Sequence, residues 1–146
     1  MTDIQETETG SRALLGPEHI STFVFAGDSR FTLQSKRTGA HYTYKVREAK
    51  DESRFFVSVL RGENNDTDYS YIGMVMAGRR DRLIHTRGSK VGKDAPSFVA
   101  LAWFLAHHTS PQVECYHEGR CGRCGRSLTV PESIQTGLGP VCSGKL

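Results

Sequence analysis

Hydrophobic and polar positions alternate along much of the chain between residues 30 and 86, and a period of two is typical of β-strands. Residues 54–60 (RFFVSVL) are apolar on both faces, which predicts a central strand of the sheet. Tight connections separate the segments, so we expect an antiparallel meander rather than a parallel sheet with crossovers. The predicted strands are residues 20–25, 30–34, 41–47, 54–60, 69–76 and 82–86.

A helical period follows these strands. Pro96 suits a first helical turn, residues 94–97 offer capping oxygens, and the helix is expected to end at His107, before Pro111. One apolar stripe of this helix would lie on the sheet, which makes the predicted fold an α+β domain: an antiparallel meander covered by one helix. The stripe consists of Phe98, Leu101, Ala102 and Leu105.

Composition divides the chain into three predicted parts. Residues 1–17 are polar and aperiodic and are expected to be a disordered tail, 18–110 form the α+β domain, and 111–146 form a zinc-binding element packed on it. No stretch is apolar enough to be a signal peptide or a membrane span. We therefore expect a cytoplasmic protein, in which the 4 cysteines are metal ligands rather than disulfides.

The segment Cys121-Gly-Arg-Cys124-Gly has the spacing of a zinc knuckle, in which two thiolates bind one ion from a tight turn. Thr129 and Glu132 then resemble a capping box, and Pro131 and Gly137 suit the beginning and end of a short helix. The turn that follows would return Cys142 to the knuckle. This pattern predicts a C-terminal treble-clef-like or zinc-ribbon-like element holding one structural Zn²⁺ per chain.

Zinc requires a fourth ligand, and the spacing offers two candidates. Cys115 and His117 are two residues apart, so on an extended segment both side chains would face the same way. A free cysteine more often behaves as a small buried hydrophobic residue. A catalytic zinc is not expected, because neither a His-Glu-x-x-His motif nor the zinc-deaminase signature occurs.

Residues 121–142 (CGRCGRSLTVPESIQTGLGPVC) resemble a zinc-binding domain of unknown function that is common in small bacteriophage and actinobacterial mobile-element proteins. Its pattern is a CxxCGRxL knuckle, a PxSI segment and a GxGPxC closing turn, with a histidine shortly before the first cysteine. The resemblance implies the ligand set His117, Cys121, Cys124 and Cys142. It also implies a phage-type protein in a bacterial host cell. The same motif is found attached to proteins that act on nucleic acids, which favours a nucleic-acid partner.

Basic residues gather in two places, although the formal net charge of +3 is mild. Tyr42, Tyr44, Tyr69 and Tyr71 alternate on neighbouring predicted strands. If two of them faced solvent beside the basic loop, they would stack single-stranded bases while the cations held phosphates. Alternatively, the tyrosines fill the core and the cations are a solvated face. The candidate nucleic-acid-binding residues are Arg79, Arg80, Arg82, Arg87, Lys90 and Lys93, with Arg120, Arg123 and Arg126 on the knuckle.

Two other classes of function are alternatives to nucleic-acid binding. A phage accessory protein can act by docking on a host protein, including an anti-defence or CRISPR-inhibiting role, with the acidic loop 63–68 mimicking phosphate charges. An enzyme is not expected, because no P-loop, nucleophile elbow or dinucleotide fingerprint occurs and no small-molecule substrate is evident. The sequence leaves the binding target and the oligomeric state open.

Overall fold

A curled antiparallel sheet dominates the computed structural model, which describes residues 13–108, 110–128 and 131–139. Within these residues the sheet has seven strands, forms a half-barrel and is accompanied by a few short helices. Five strands follow one another along the chain and pair with their neighbours, which confirms the predicted meander. They are β2 (Asp28–Ser35), β3 (His41–Glu48), β4 (Arg54–Leu60), β5 (Tyr69–Met76) and β6 (Arg79–Ile84).

Two further strands extend the sheet beyond β2. These are β1 (Ala13–Leu14) and β7 (Val113–His117), and the complete order is β1-β7-β2-β3-β4-β5-β6. Because both are added on the β2 side, β3 is the middle strand, and β4 is interior without being central. β7 is an interior strand although the sequence places it in the zinc-binding element. The boundary predicted at residue 110 assigned β7 to the zinc-binding element, but in the structure β7 belongs to the sheet.

A short helix, α1 (Pro17–Val24), lies where the sequence analysis predicted a strand over residues 20–25, and that prediction is wrong. Pro17 occupies the first helical turn, where its missing N–H costs nothing. Ile20, Phe23 and Val24 then share one buried face at i, i+3 and i+4. Burial of this face against the sheet outweighs the strand preference of the β-branched residues.

The predicted helix is confirmed as α2 (Pro96–Ala106), with Pro96 in its first turn. The predicted capping side chains are not used, because the N-cap is Ala95 and makes no side-chain hydrogen bond. Phe104 is buried, whereas Ala102 is only half-buried. The helix is fixed to the middle of the sheet by Tyr44, whose hydroxyl donates to the Ser97 carbonyl at 2.7 Å.

Two predicted boundaries differ from the structure. The strand expected at 82–86 is β6, which begins at Arg79 because the turn falls at residues 77–78. The tail predicted over 1–17 lies outside the described residues up to residue 12. From Ala13 onward the chain belongs to the fold, since β1 pairs with β7 and Leu15 is buried with its amide bonded to the Cys115 carbonyl at 2.9 Å.

The sheet has one buried face and one open face. Side chains such as Phe31, Tyr44 and Phe55 point to the helices and form the main core, together with most of the buried residues. Because strand residues alternate between faces, the intervening side chains of β2 to β5 point away from the helices.

A third short helix, α3 (Pro131–Thr136), packs near the edge strand β1. None of the described helices is long and apolar enough to cross a bilayer.

Candidate functional site

The predicted zinc knuckle forms a tight hairpin. Arg120 and Ser127 pair as an isolated β-bridge, and the Cys121 amide donates to the Arg126 carbonyl at 2.9 Å. The Gly125 amide closes the turn on the Cys121 carbonyl at 2.9 Å. Gly125 has φ 78°, which only glycine adopts without strain. The turn leaves Cys124 exposed and Cys121 buried.

The Cys121 sulfur lies in a ring of hydrogen-bond donors. Its own burial raises the pKa of the thiol, but hydrogen bonds from the amides of Gly139, Cys124 and Arg123 and from the Cys124 thiol lower the pKa to about 7. The Arg123 amide, for example, lies 3.4 Å from the sulfur. Amides that point at a sulfur stabilise the thiolate, which is the form that binds metal.

The segment after α3 lies against the knuckle as far as Gly139, the last described residue. Gly137 has φ 79°, and its carbonyl accepts the Gly122 amide at 2.8 Å. Leu138 packs in a small apolar cluster with Ala26, Cys121 and Leu128. The Gly139 amide, which bonds to Cys121, is three residues before Cys142. Cys142 itself lies outside the described residues.

His117 is fully buried, and both of its ring nitrogens have backbone partners. The Gly119 amide donates to Nδ1 at 2.9 Å, so Nε2 carries the proton and donates to the Ile134 carbonyl at 2.6 Å. Burial lowers the pKa of the imidazole against the opposing effects of the Ile134 bond and Glu118, which keeps it neutral. The ring of Phe23 lies 5.5 Å away, centroid to centroid. His117 therefore links β7 to α3.

Cys115 faces the same way as His117, as predicted for an extended segment, but it lies in the main hydrophobic core. Burial raises the pKa of its thiol well above the usual range. A buried, protonated thiol is the environment of an unliganded core cysteine. Its position corresponds to the alternative considered in the sequence analysis, a small hydrophobic residue.

The residues present fit a zinc ion at the cysteine pair, where the tight turn brings the two side chains together and the amides stabilise the Cys121 thiolate. His117 does not present a free nitrogen to the pair, because Gly119 and Ile134 occupy both of its ring atoms. Across the described ranges, no three His, Cys, Asp or Glu side chains come together as a metal-binding group. The ligand roles of His117, Cys121, Cys124 and Cys142 all stay predictions.

A groove of about 530 Å³ lies on the open face of the sheet. Lys45 and Arg47 point into it from β3, Phe56 and Ser58 from β4, and two tyrosines from β5. The Lys45 ammonium lies 5.7 Å from the centre of the Tyr69 ring, and the Phe56 and Tyr71 rings meet edge to face. The groove is lined by Asp28, Lys45, Arg47, Phe56, Ser58, Tyr69 and Tyr71.

The groove leads toward the zinc knuckle. A smaller depression of about 50 Å³ shares Asp28 with it and extends to Arg120, Cys121 and Gly125. At its other end, the basic loop 85–93 packs beside Tyr71, whose hydroxyl and the Thr86 hydroxyl are 3.0 Å apart. The Lys90 amide donates to the Tyr71 carbonyl at 2.9 Å. The groove and the smaller depression thus adjoin Arg120 of the knuckle and the backbone of Lys90 in the loop 85–93.

The structure distributes the predicted basic residues over several surfaces. Arg79 pairs with Asp81 at 3.0 Å, and Arg80 stacks over the Phe25 and Phe55 rings at 5.3 and 5.5 Å, away from the groove. Arg87 and Lys90 belong to the loop beside Tyr71. Arg120 reaches the smaller depression. Arg82, Lys93, Arg123 and Arg126 are not among the residues that line the groove or the smaller depression.

The four tyrosines divide between the two faces. Tyr44 is fully buried and Tyr42 packs against the core, whereas Tyr69 and Tyr71 are half-buried in the groove. One pair of tyrosines therefore belongs to the core and the other lines the groove, and base stacking on the second pair stays a prediction. The sequence analysis missed Arg30, Lys45, Arg47 and Phe56. A signal existed for the β3 pair, because Lys45 and Arg47 alternate with Tyr44 and Val46 and so point to the opposite face.

Residues 114–146 match the model of a family of unknown function, DUF6011. The match covers β7 and the knuckle region but not the meander or the groove. The family description names neither a metal nor a ligand, so zinc and the phage-type origin stay predictions. No curated protein and no solved structure matches the chain.

Proposed function

We propose that the protein binds single-stranded nucleic acid along the open face of its sheet. The observation that carries this proposal is the groove, in which Lys45 and Arg47 lie beside Phe56, Tyr69 and Tyr71. Half-buried aromatic rings offer faces on which successive bases stack, whatever the sequence. The neighbouring cations neutralise phosphates and release counterions. A binding role of this kind needs no catalytic residue.

The zinc ion, in the same proposal, is structural. Cys121, Cys124 and Cys142 would hold it, with His117 as the fourth ligand if its Nδ1 gives up the Gly119 amide. A bound ion would contribute folding free energy to an element whose own apolar cluster is small. The element would then present Arg120 at the end of the groove.

The experiment is a titration of a fluorescent oligothymidine by anisotropy, with a duplex of equal length for comparison. We expect tighter binding to the single strand, and a steep loss of affinity with salt. Tyr71→Leu should weaken binding about tenfold, because base stacking contributes roughly 1–3 kcal/mol per base. Lys45→Gln should weaken it and reduce the salt slope by about 0.7, the value for one phosphate contact on a single strand.

Two matched controls make the test specific to the groove. Tyr42→Leu makes the same change on the opposite face, and Lys36→Gln removes an exposed charge in the β2–β3 turn, outside the groove. Both should bind as the wild type does. If Tyr42→Leu weakens binding as much as Tyr71→Leu, or if the wild type does not bind even at low salt, the proposal is wrong.

A further inference from the structure

Arg30 is a cation of the open face with several partners among the described residues. Its guanidinium donates to the Asn65 carbonyl at 2.9 Å and to the Asp66 carboxylate at 3.1 Å, and the Glu118 carboxylate lies 3.8 Å away. It also lies over the Tyr69 ring, 5.9 Å from the centroid. Asp66, by contrast, is mostly exposed, with 80% of its side-chain surface open. Solvent therefore reaches the pair from the side of Asp66.

Two partners of Arg30, Asn65 and Asp66, come from the loop 62–68, which folds back across the open face. The Asn65 amide donates to both Glu118 oxygens at 3.2 and 3.0 Å, and the Tyr69 hydroxyl donates to Asn65 Oδ1 at 2.8 Å. Within the loop, the Asn64 side chain accepts the amides of Asp66 and Thr67. The loop is thus a preformed turn that places the Asp66 carboxylate on Arg30.

A carboxylate and a phosphate compete for the same guanidinium, since both accept two N–H groups in one plane. Arg30 adjoins the groove, because the ring it covers, Tyr69, is one of the groove's walls. Its opposite neighbour in the sheet is Lys45, which points into the groove. A phosphate of a strand lying on Tyr69 would therefore approach the position that Asp66 now occupies.

We propose that Arg30 is a phosphate-binding residue of the groove. In the unbound protein the Asp66 carboxylate, held by the loop 62–68, occupies the position that the phosphate takes in the complex. This inference rests on the proposed function. The bound strand displaces Asp66 from Arg30, and the free energy of that exchange is subtracted from the affinity. The acidic loop acts here on its own chain and not on a basic partner surface.

The test compares Asp66→Asn with Glu63→Gln, using the same oligothymidine. Both variants remove one negative charge from one loop. Within the described residues Asp66 contacts Arg30, whereas Glu63 has no hydrogen bond or ion pair with any side chain. Asp66→Asn should bind about 1.5- to fivefold more tightly, the range for release of an exposed ion pair. Its salt slope should steepen by up to about 0.7, because the contact between Arg30 and the phosphate then forms without setting free a carboxylate that takes up a cation.

Arg30→Gln completes the comparison as a double-mutant cycle. In the Asp66→Asn background it should abolish the gain in affinity and in salt slope, and in the wild type it should have a smaller effect. Equal gains for Asp66→Asn and Glu63→Gln, or a weaker complex with Asp66→Asn, would overturn the inference while the proposed function stands. If none of the proteins binds the oligonucleotide at low salt, both are overturned.

Discussion

His117 illustrates how one residue can support a metal site in two different ways. A metal ligand has to present a lone pair to the ion, and in this structure Nδ1 directs its lone pair to the Gly119 amide. Nε2 donates to α3, which precedes the turn that reaches Cys121. An imidazole in this position either exchanges the Gly119 bond for zinc or fixes the helix behind the site. The two roles differ in what its removal does to the metal.

Metal content distinguishes the two roles. We expect about one zinc per chain in the wild type, a loss in Cys121→Ser and full retention in Cys115→Ala, because Cys115 belongs to the core. His117→Asn keeps an acceptor for the Gly119 amide but cannot replace the imidazole as a ligand. If His117 binds zinc, this variant should lose it to a competing chelator much faster than the wild type does.

The opposite results have equally clear meanings. Zinc retained by His117→Asn with wild-type kinetics would remove His117 from the ligand set and leave it as the link between β7 and α3. Zinc lost by Cys115→Ala would contradict the assignment of that residue to the core. Circular dichroism of each variant distinguishes a loss of metal from a loss of the fold.

The alternation of polar and apolar residues defines the two faces along the whole of β3, whereas in β5 it holds for Tyr69 and Tyr71 but not beyond Ile72. In β3, the buried residues Tyr44 and Val46 alternate with Lys45 and Arg47. The alternation therefore predicts which side chains point to the core and which point to the open face. In β5, Ile72 and Val75 are both buried although they are three residues apart. A register irregularity opposite Val57 and Ser58 changes the phase of the alternation at this point. Nothing in the alternation of β5 identifies that position.

At the scale of elements, the sequence predicted those whose periodicity is long and regular. The strands β2 to β5 and the helix α2 were found in this way. The helix α1 was missed because it has only 8 residues, and so short a helix is not stable alone. It forms because Phe23 packs between the sheet and the knuckle, a contact that joins residues distant in the sequence. Local patterns do not contain such contacts.

The packing of α1 against the knuckle makes the turn after α3 sensitive to substitution. A Cβ at Gly137 would collide with the Phe23 ring, and φ at Gly137 is positive. Gly137→Ala should therefore lower the free energy of unfolding by about 2–4 kcal/mol, combining backbone strain with overpacking. Urea denaturation of the zinc-loaded protein measures the change.

Gly39 is the matched control for this prediction. It also has φ 79°, but its Cβ would meet nothing within 4 Å. Gly39→Ala should lower the free energy of unfolding by about 1 kcal/mol, the strain of the backbone alone. Equal effects of the two substitutions would show that the Phe23 ring moves aside at no cost. The contact between α1 and the knuckle would then be looser than the structure indicates.

At the scale of the molecule, the knuckle is attached to the sheet at a few points. β7 leads into it from the interior of the sheet, and the Asp28 amide at the beginning of β2 donates to the Gly122 carbonyl at 2.8 Å. Its own buried cluster is small: Ala26, Cys121 and Leu138, with Leu128 half-buried. The meander has a much larger core. The two parts should therefore differ in their dependence on metal.

Removal of zinc by a chelator should open the knuckle while the meander stays folded. Amide hydrogen exchange followed by mass spectrometry should show faster exchange in peptides covering 119–128 and 131–139, because the small cluster cannot hold them without the ion. Peptides from β3 and β4 should be unchanged. Addition of zinc should restore the protection in the wild type but not in Cys121→Ser. Unchanged exchange in the knuckle would show that the metal is not structural, whereas faster exchange throughout would show that the whole fold depends on it.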